Sequence, residues 1–165
     1  MTNKILKFAT GKTEKEADKK LDRPNIEGLR ICGGIKLTGR DKSGKLLWVK
    51  KQKNLITNAG YDAICAQIAN PTQPNEFGWM AISNGAVGDA TATALAATET
   101  QRVAATYAHT GGTKIFTITG TFTTVVAATS YGCLNAASVG TLLNTAGFSS
   151  ITVDSLEIEA TFTLS

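Results

Sequence analysis

Residues 155–164 read SLEIEATFTL, and this stretch decides the fold. Its apolar residues alternate strictly with polar ones, so one side of the segment carries Leu156, Ile158, Ala160, Phe162 and Leu164. An alternation with a period of two is typical of a β-strand that buries one face and exposes the other. The sequence therefore predicts a strand at the end of the chain whose apolar side chains face a core.

Strand patterns recur upstream of this segment. The stretches LRICGGIKLTGRD and GKLLWVKKQKN flank the turn-forming residues 41–44 and predict a β-hairpin. In the second of these strands Leu47 and Val49 share one face, with Trp48 on the other. Further strands are predicted in GWMAISNG, beside a turn at 109–112, and as short segments on both sides of Gly140. About seven or eight short strands joined by frequent turns favour a mainly β fold, an antiparallel β-sandwich of jelly-roll-like type.

One segment breaks the β pattern. Residues 53–69 read KNLITNAGYDAICAQIA, with apolar residues at helical spacing. This apolar stripe consists of Tyr61, Ile64, Cys65 and Ile68. Thr57 or Asn58 can cap the start, and Pro71 follows the end. The sequence thus predicts one short helix, over about residues 58–69, that packs its stripe against the sheet.

Charge divides the chain into two unequal parts. Residues 1–60 hold 15 of the 17 Lys and Arg and 6 of the 13 Asp and Glu, a net charge of +9, whereas residues 61–165 hold 2 and 7, a net charge of −5. Residues 1–27 are densely charged and contain few apolar side chains. We expect them to form an extended N-terminal arm that orders on a partner, followed by one β-sandwich domain over residues 28–165. The asymmetry favours a chain whose basic end binds an acidic surface.

Catalytic and metal-binding patterns are not recognisable in the sequence. His109 is the only histidine, and no serine lies in a GxSxG motif. Glu157 and Glu159 share one polar strand face, whereas acid–base work on a sugar needs carboxylates opposed across a cleft. We therefore expect no enzymatic activity, no cofactor and no metal ion.

The remaining composition fits a protein made and kept in a cytoplasm. Cys32, Cys65 and Cys133 are widely spaced without a CxxC pair, as expected of small buried apolar residues. No apolar run approaches the ~20 residues that span a bilayer. The first residues lack the apolar region of a signal peptide, so we expect no membrane association.

The basic residues raise a nucleic-acid alternative. Six of them surround Trp48 in the predicted hairpin: Arg40, Lys42, Lys45, Lys50, Lys51 and Lys53. Single-stranded nucleic-acid binders combine such charge with aromatic side chains that stack on bases. Only one aromatic residue is interleaved here, and no RNA-recognition or helix-turn-helix pattern accompanies it. Nucleic acid is therefore the less favoured partner.

Three segments, taken in order, resemble a known family. They read SGKLLWVKKQKNLITNAGYDAICAQIA, then WMAISNGA with TATALAATETQR, then YGCLNAASVGTLLNTAGFSSITVDSLEIEATFTL. Over roughly residues 28–165 this order is similar to that of small virion structural proteins of tailed bacteriophages, which include capsid decoration (cement) proteins and tail-associated proteins. The charged arm and the basic hairpin depart from that pattern. Both suit a protein that grips a shell, so they favour capsid decoration.

The resemblance implies a homotrimer on the capsid exterior of a virion. Such a protein binds the major capsid protein and stabilises the shell by bridging capsomers. The candidate capsid contacts are Lys4, Lys7, Phe8, Lys12, Arg30, Arg40, Lys42 and Lys45. The candidate oligomer contacts, partly in the small-residue loop 86–98, are Trp79, Tyr107, Thr91 and Leu95. A tail or tail-fibre protein is the alternative, and a single-stranded nucleic-acid-binding module is the second alternative.

Overall fold

The computed structural model describes residues 30–69, 76–95 and 99–165. The predicted arm, residues 1–27, lies outside the described residues. The secondary-structure elements are β1 (Ile31–Arg40), β2 (Leu46–Lys53), β3 (Leu55–Ile56), α1 (Asn58–Ala69), β4 (Trp79–Ser83), β5 (Glu99–Ala104), β6 (Thr106–His109), β7 (Ile115–Leu134) and β8 (Leu142–Leu164).

All eight strands belong to one antiparallel sheet. Strands β2, β1, β8, β7, β4 and β5 follow one another across it, while β3 pairs with β8 and β6 pairs with β7 outside that path. The predicted hairpin over β1 and β2 is present, and so is the hairpin about residues 109–112. The mainly β class with one short helix is confirmed.

The long hairpin of β7 and β8 is the centre of the sheet. The sequence predicts several short strands here, but β7 runs for 20 residues and β8 for 23. Their pairing continues through register shifts between Val125 and Ser130, and the φ values of Thr124, just before this stretch, and of Ala127, within it, are 53° and 51°. Extra residues of this kind bend a strand without ending it, which explains why the sequence looks interrupted.

Each long strand therefore serves two sets of neighbours. The first half of β7 pairs with β6 over residues 116–119, and its last residues pair with β4 over 130–134. The first half of β8 pairs with β3 over 144–145, and its last part pairs with all of β1. The two halves of one hairpin thus organise two groups of strands.

The terminal strand buries its apolar face as predicted. Leu156, Ile158, Ala160 and Phe162 are fully buried, and Leu164 is partly buried. They belong to a large apolar cluster that draws on β1, β4, β7 and β8. A second, smaller cluster lies on the other side of β4 and contains Ala81, Leu95, Leu134 and Leu142. Alternation along β4 separates the two clusters, since Met80 and Ile82 belong to the first.

The helix begins and ends as predicted, but its buried face differs. Thr57 caps it, because the Thr57 hydroxyl accepts a hydrogen bond from the Gly60 amide at 2.9 Å. Gly60 is buried and Ile64 half-buried, whereas Tyr61 and Cys65 of the predicted stripe are exposed. The helix is turned by about one residue because Gly60 lies against the Leu143 carbonyl, a contact that only a residue without a side chain allows.

Candidate interaction surface on the β1–β2 hairpin

The turn between β1 and β2 is held by one aspartate. The Asp41 carboxylate accepts hydrogen bonds from the Ser43 amide at 2.9 Å, the Ser43 hydroxyl at 2.6 Å and the Lys45 amide at 3.0 Å. These bonds, that of the Ser43 hydroxyl above all, lower the pKa of Asp41 below its usual value. Gly44 supplies the positive φ of 82° that the turn needs. The hairpin therefore presents β2 in a fixed register.

Strand β2 is an exposed edge of the sheet. It pairs with β1 over residues 34–40, and no strand within the described ranges pairs with its other side. Three large apolar side chains on it are exposed: Leu46 by 49%, Leu47 by 52% and Val49 by 44%. Unpaired backbone groups beside exposed apolar side chains form a template for adding another strand. The edge is therefore chemically suited to bind an extended segment.

The single tryptophan of the hairpin, Trp48, faces the opposite way from Leu47 and Val49, as the alternation predicts. The Trp48 indole lies over Gly39, its partner across the hairpin, and packs against the large cluster. The Lys50 ammonium lies 5.2 Å from the centre of the indole. A cation at this distance from the ring is attracted by the π electrons. Trp48 is therefore held between a backbone contact and a lysine.

Positive charge surrounds the edge. Residues 31–53 contain seven Lys and Arg and a single Asp. Lys36 and Lys51 lie opposite each other across the hairpin, and the Lys36 ammonium lies 3.8 Å from the Glu159 carboxylate on β8. Within the described ranges, no salt bridge involves Lys50, Lys51 or Lys53. The edge can therefore attract an acidic partner and also bury apolar surface against it.

The structure gathers only some of the predicted capsid contacts. Arg40, Lys42 and Lys45 lie at the β1–β2 turn, where the Arg40 guanidinium donates a hydrogen bond to the Gly44 carbonyl at 3.1 Å. Arg30 lies at the other end of β1, beside Ser165. Lys4, Lys7, Phe8 and Lys12 lie outside the described residues. The three turn residues therefore lie at one end of the hairpin, whereas Lys53 and Arg30 lie toward its opposite end.

The predicted oligomer contacts fall in different places. Leu95 is buried in the second cluster, and Trp79 packs against the same cluster from its side. Thr91 is exposed and donates to the Asp89 carboxylate at 2.6 Å. Tyr107 is 64% exposed on β6. Leu95 therefore offers little surface to a second chain, because it fills a core of its own chain.

The loop before β5 is also less available for contact with a second chain than the sequence predicts. Its Ala90 carbonyl accepts from the Asn58 amide at 2.7 Å, and its Thr93 carbonyl accepts from the Leu142 amide at 3.2 Å. Together with Leu95, these bonds hold the described part of the loop, residues 86–95, over the second cluster. The loop covers core residues of its own chain.

Sequence reasoning missed the most useful feature of the site, the exposure of β2. Leu47 and Val49 read as an apolar face of a strand, but the large cluster ends at β1 and Trp48. The signal that could have identified the edge is the run of lysines at 50, 51 and 53, because lysines are typical of edge strands.

Two of the three cysteines also differ from the prediction of burial. Cys133 is buried, but Cys32 and Cys65 are exposed. Cys32 lies on the face of β1 opposite to the buried Ile31, and Cys65 lies on the exposed side of the turned helix. Within the described ranges no three His, Cys, Asp or Glu side chains are grouped as metal ligands. None of the described helices is both long and apolar enough to cross a membrane.

Comparison with known proteins returned no matching family model, no matching curated protein and no matching solved structure.

Proposed function

We propose that this chain is a structural protein that decorates the outer capsid surface of a tailed bacteriophage and stabilises the shell by bridging capsomers. The observation that carries the proposal is the edge strand β2, which combines exposed apolar side chains with lysines that form no salt bridge to any described residue. Such an edge binds by adding contacts and needs no catalytic group. The resemblance of residues 28–165 to virion structural proteins supports the same function.

The proposed binding partner is the major capsid protein, which would present an acidic, partly apolar strand or surface to β2. Long-range attraction by the basic hairpin speeds association and selects acidic surfaces. Leu46, Leu47 and Val49 are about half exposed, so covering the rest of each side chain contributes roughly 1 kcal/mol. The arm, residues 1–27, would add a second attachment to a neighbouring capsomer, so that both must break together.

The finer architecture belongs to the same proposal. A Cβ atom on Gly120 of β7 would lie 3.1 Å from the Met80 side chain and 3.2 Å from Val103, although β7 pairs with β4 only further along. This contact supports a sheet folded on itself as a sandwich, with β4 and β5 over the first half of β7. The jelly-roll-like arrangement and the homotrimer stay predictions, with Tyr107 and Trp79 as candidate contacts between subunits.

Co-sedimentation of the purified chain with undecorated capsids of the phage tests the proposal. We expect saturable binding to the capsid exterior and none to isolated tails. Binding to tails alone would support the tail-protein alternative and overturn the decoration proposal.

A titration with single-stranded DNA at low salt tests the nucleic-acid alternative. We expect no binding, because Gly39 lies against the Trp48 indole and Lys50 lies near its ring, which hinders stacking on a base. Tight binding that weakens steeply with salt would favour the nucleic-acid module instead.

A further inference from the structure

The part of β2 that can accept a further strand runs from Trp48 to Lys53. These six residues pair with residues 34–39 of β1 without a register shift. The bulge next to Gly39 leaves Leu47 outside this regular stretch. In an antiparallel ladder every second residue turns its N–H and C=O away from the strand it pairs with. Within the regular stretch these groups therefore point outward from the sheet edge.

The two faces of this stretch differ in availability. Trp48 and Gln52 are half-buried on the face toward the core, because the indole packs against the large cluster and the Gln52 side chain donates to a β8 carbonyl at 2.7 Å. Val49, Lys51 and Lys53 share the opposite face, and all three are exposed. The available face is therefore apolar toward the turn and cationic toward the end of the strand.

A strand that pairs with this face must complement it position by position. Directly opposite side chains in antiparallel strands lie about 5 Å apart, so apolar pairs and opposite charges stabilise the pairing and like charges destabilise it. An apolar residue opposite Val49 and acidic residues opposite Lys51 and Lys53 meet this condition. Antiparallel pairing also continues the pattern of the sheet and is slightly more stable than parallel pairing.

We propose that β2 binds an extended antiparallel strand with the pattern acidic–x–acidic–x–apolar, read from its amino end. The first acidic residue lies opposite Lys53, the second opposite Lys51, and the apolar residue opposite Val49. Backbone hydrogen bonds supply the affinity, and the alternate side chains supply the specificity. As a statement about the capsid partner this inference rests on the proposed function, since it specifies the segment that the partner presents.

The lysines of β2 disfavour a second copy of this chain as the added strand. Residues 45–53 contain four lysines and no acidic residue, so two such edges repel each other. Lysine-rich edges are one means by which proteins avoid edge-to-edge association. An acidic strand removes this repulsion, and the edge is then closed to copies of itself but open to such a partner.

A synthetic peptide, acetyl-ETETVTV-amide, tests the pattern with the full chain. Antiparallel pairing sets its two glutamates opposite Lys53 and Lys51 and its first valine opposite Val49. An amide NMR titration should show saturable shifts confined to β1 and β2, and outward-facing β2 amides should become protected from hydrogen exchange. The reversed peptide, acetyl-VTVTETE-amide, has the same composition and should bind about tenfold more weakly, because valine then lies opposite lysine.

N-methylation distinguishes strand addition from electrostatic attraction alone. Methyl groups on every odd-numbered amide nitrogen of the peptide remove the donors along one of its edges, and methyl groups on every even-numbered one remove those along the other. Only one edge of the peptide faces β2. One methylated peptide should therefore bind at least about tenfold more weakly than the parent, and the other should bind like it.

A charge exchange tests the register. Lys51→Glu should weaken binding of the parent peptide about three- to tenfold, because an attraction becomes a repulsion. The peptide acetyl-ETKTVTV-amide, which sets lysine opposite residue 51, should restore the binding of this variant. The matched control, acetyl-KTETVTV-amide, sets its lysine opposite Lys53 and should not.

Three results would overturn the inference: failure of the parent peptide to bind, equal binding by the two methylated peptides, and equal binding of Lys51→Glu by the two lysine peptides. Capsid co-sedimentation separates this inference from the proposed function. Capsids that bind the chain when the parent peptide does not would contradict the strand pattern alone. A peptide that binds as expected when capsids do not would contradict capsid decoration alone.

Discussion

Gly39 and Trp48 face each other across the β1–β2 hairpin, and a methyl group on Gly39 would lie 2.4 Å from the Cε2 atom of Trp48. The indole therefore rests on bare backbone, and the Lys50 ammonium lies 5.2 Å from its centre. This arrangement holds an aromatic side chain at the margin of the core while the rest of β2 stays exposed.

Gly39→Ala should displace the indole. We expect a red-shifted tryptophan emission and a loss of about 1–3 kcal/mol in the free energy of unfolding, because the methyl group overpacks the site. Fluorescence is measured in a Trp79→Phe background, which leaves Trp48 as the only tryptophan. Gly34→Ala on the same strand is the control, since its nearest neighbour would be 3.4 Å away. Unchanged emission in Gly39→Ala would contradict the packing of Trp48.

Gly60→Ala should destabilise the protein although alanine favours helices. Alanine gains about 1 kcal/mol in helix propensity over glycine. Its Cβ atom, however, would lie 2.1 Å from the Leu143 carbonyl oxygen, so helix and sheet must move apart. We expect urea denaturation to show a net loss of about 1–3 kcal/mol. Gly111→Ala, at an open position, is the control. A more stable Gly60→Ala variant would show that α1 does not pack against β8 as described.

Thr57→Ala should remove the cap of α1 and one link to β8. The Thr57 hydroxyl accepts from the Gly60 amide and donates to the Leu142 carbonyl. We expect a loss of about 1–2 kcal/mol in the free energy of unfolding, because the side chain is buried and both bonds are lost. Thr57→Ser keeps the hydroxyl and should recover most of the loss. Equal stabilities of the two variants would contradict a role for the hydroxyl.

Stability should fall at alkaline pH because of two buried groups. Burial raises the pKa of the Cys133 thiol and of the Tyr131 hydroxyl well above their ordinary values of 9.0 and 10.0. Above pH 9 the unfolded chain releases these protons while the folded chain retains them, so the free energy of unfolding decreases as the pH rises. The slope approaches about 1.4 kcal/mol per pH unit for each group once the pH exceeds that group's ordinary pKa, which is 9.0 for the Cys133 thiol and 10.0 for the Tyr131 hydroxyl.

Denaturation between pH 8 and pH 10.5 measures this slope. Cys133→Ala should make it shallower between pH 9 and pH 10, and Cys32→Ala, which alters an exposed thiol, is the control. The same slope in Cys133→Ala and the wild type would contradict the assignment to Cys133.

The sequence predicts the ends of the fold better than its middle. The buried face of residues 155–164 is predictable because strict alternation allows only one strand register that places the apolar side chains in the core. The start of the helix is predictable from Thr57, because its hydroxyl caps the helix by accepting a hydrogen bond from the amide three residues later. The continuity of β7 cannot be predicted, because Thr124 and Ala127 adopt a left-handed backbone near the bulge and neither residue type indicates such a backbone.

The candidate surface on the β1–β2 hairpin is likewise predictable only in part. Its charge is visible in the composition of residues 31–53, but the exposure of Leu47 and Val49 depends on where the sheet ends. Pairing over long sequence separations decides that end, as when β1 joins β8 across more than a hundred residues. Local patterns carry no information about such partners.

The most direct test of the account compares the affinities with which two charge-reversal variants of the protein bind undecorated capsids. Lys51→Glu changes the basic edge strand, and Lys114→Glu changes a lysine beside the β6–β7 turn, away from the hairpin. Measured by co-sedimentation at low and high salt, Lys51→Glu should weaken binding about tenfold at low salt and less at high salt, with Lys114→Glu near the wild type. Equal binding by both variants at low salt would contradict the central claim that the cationic edge of β2 grips the shell.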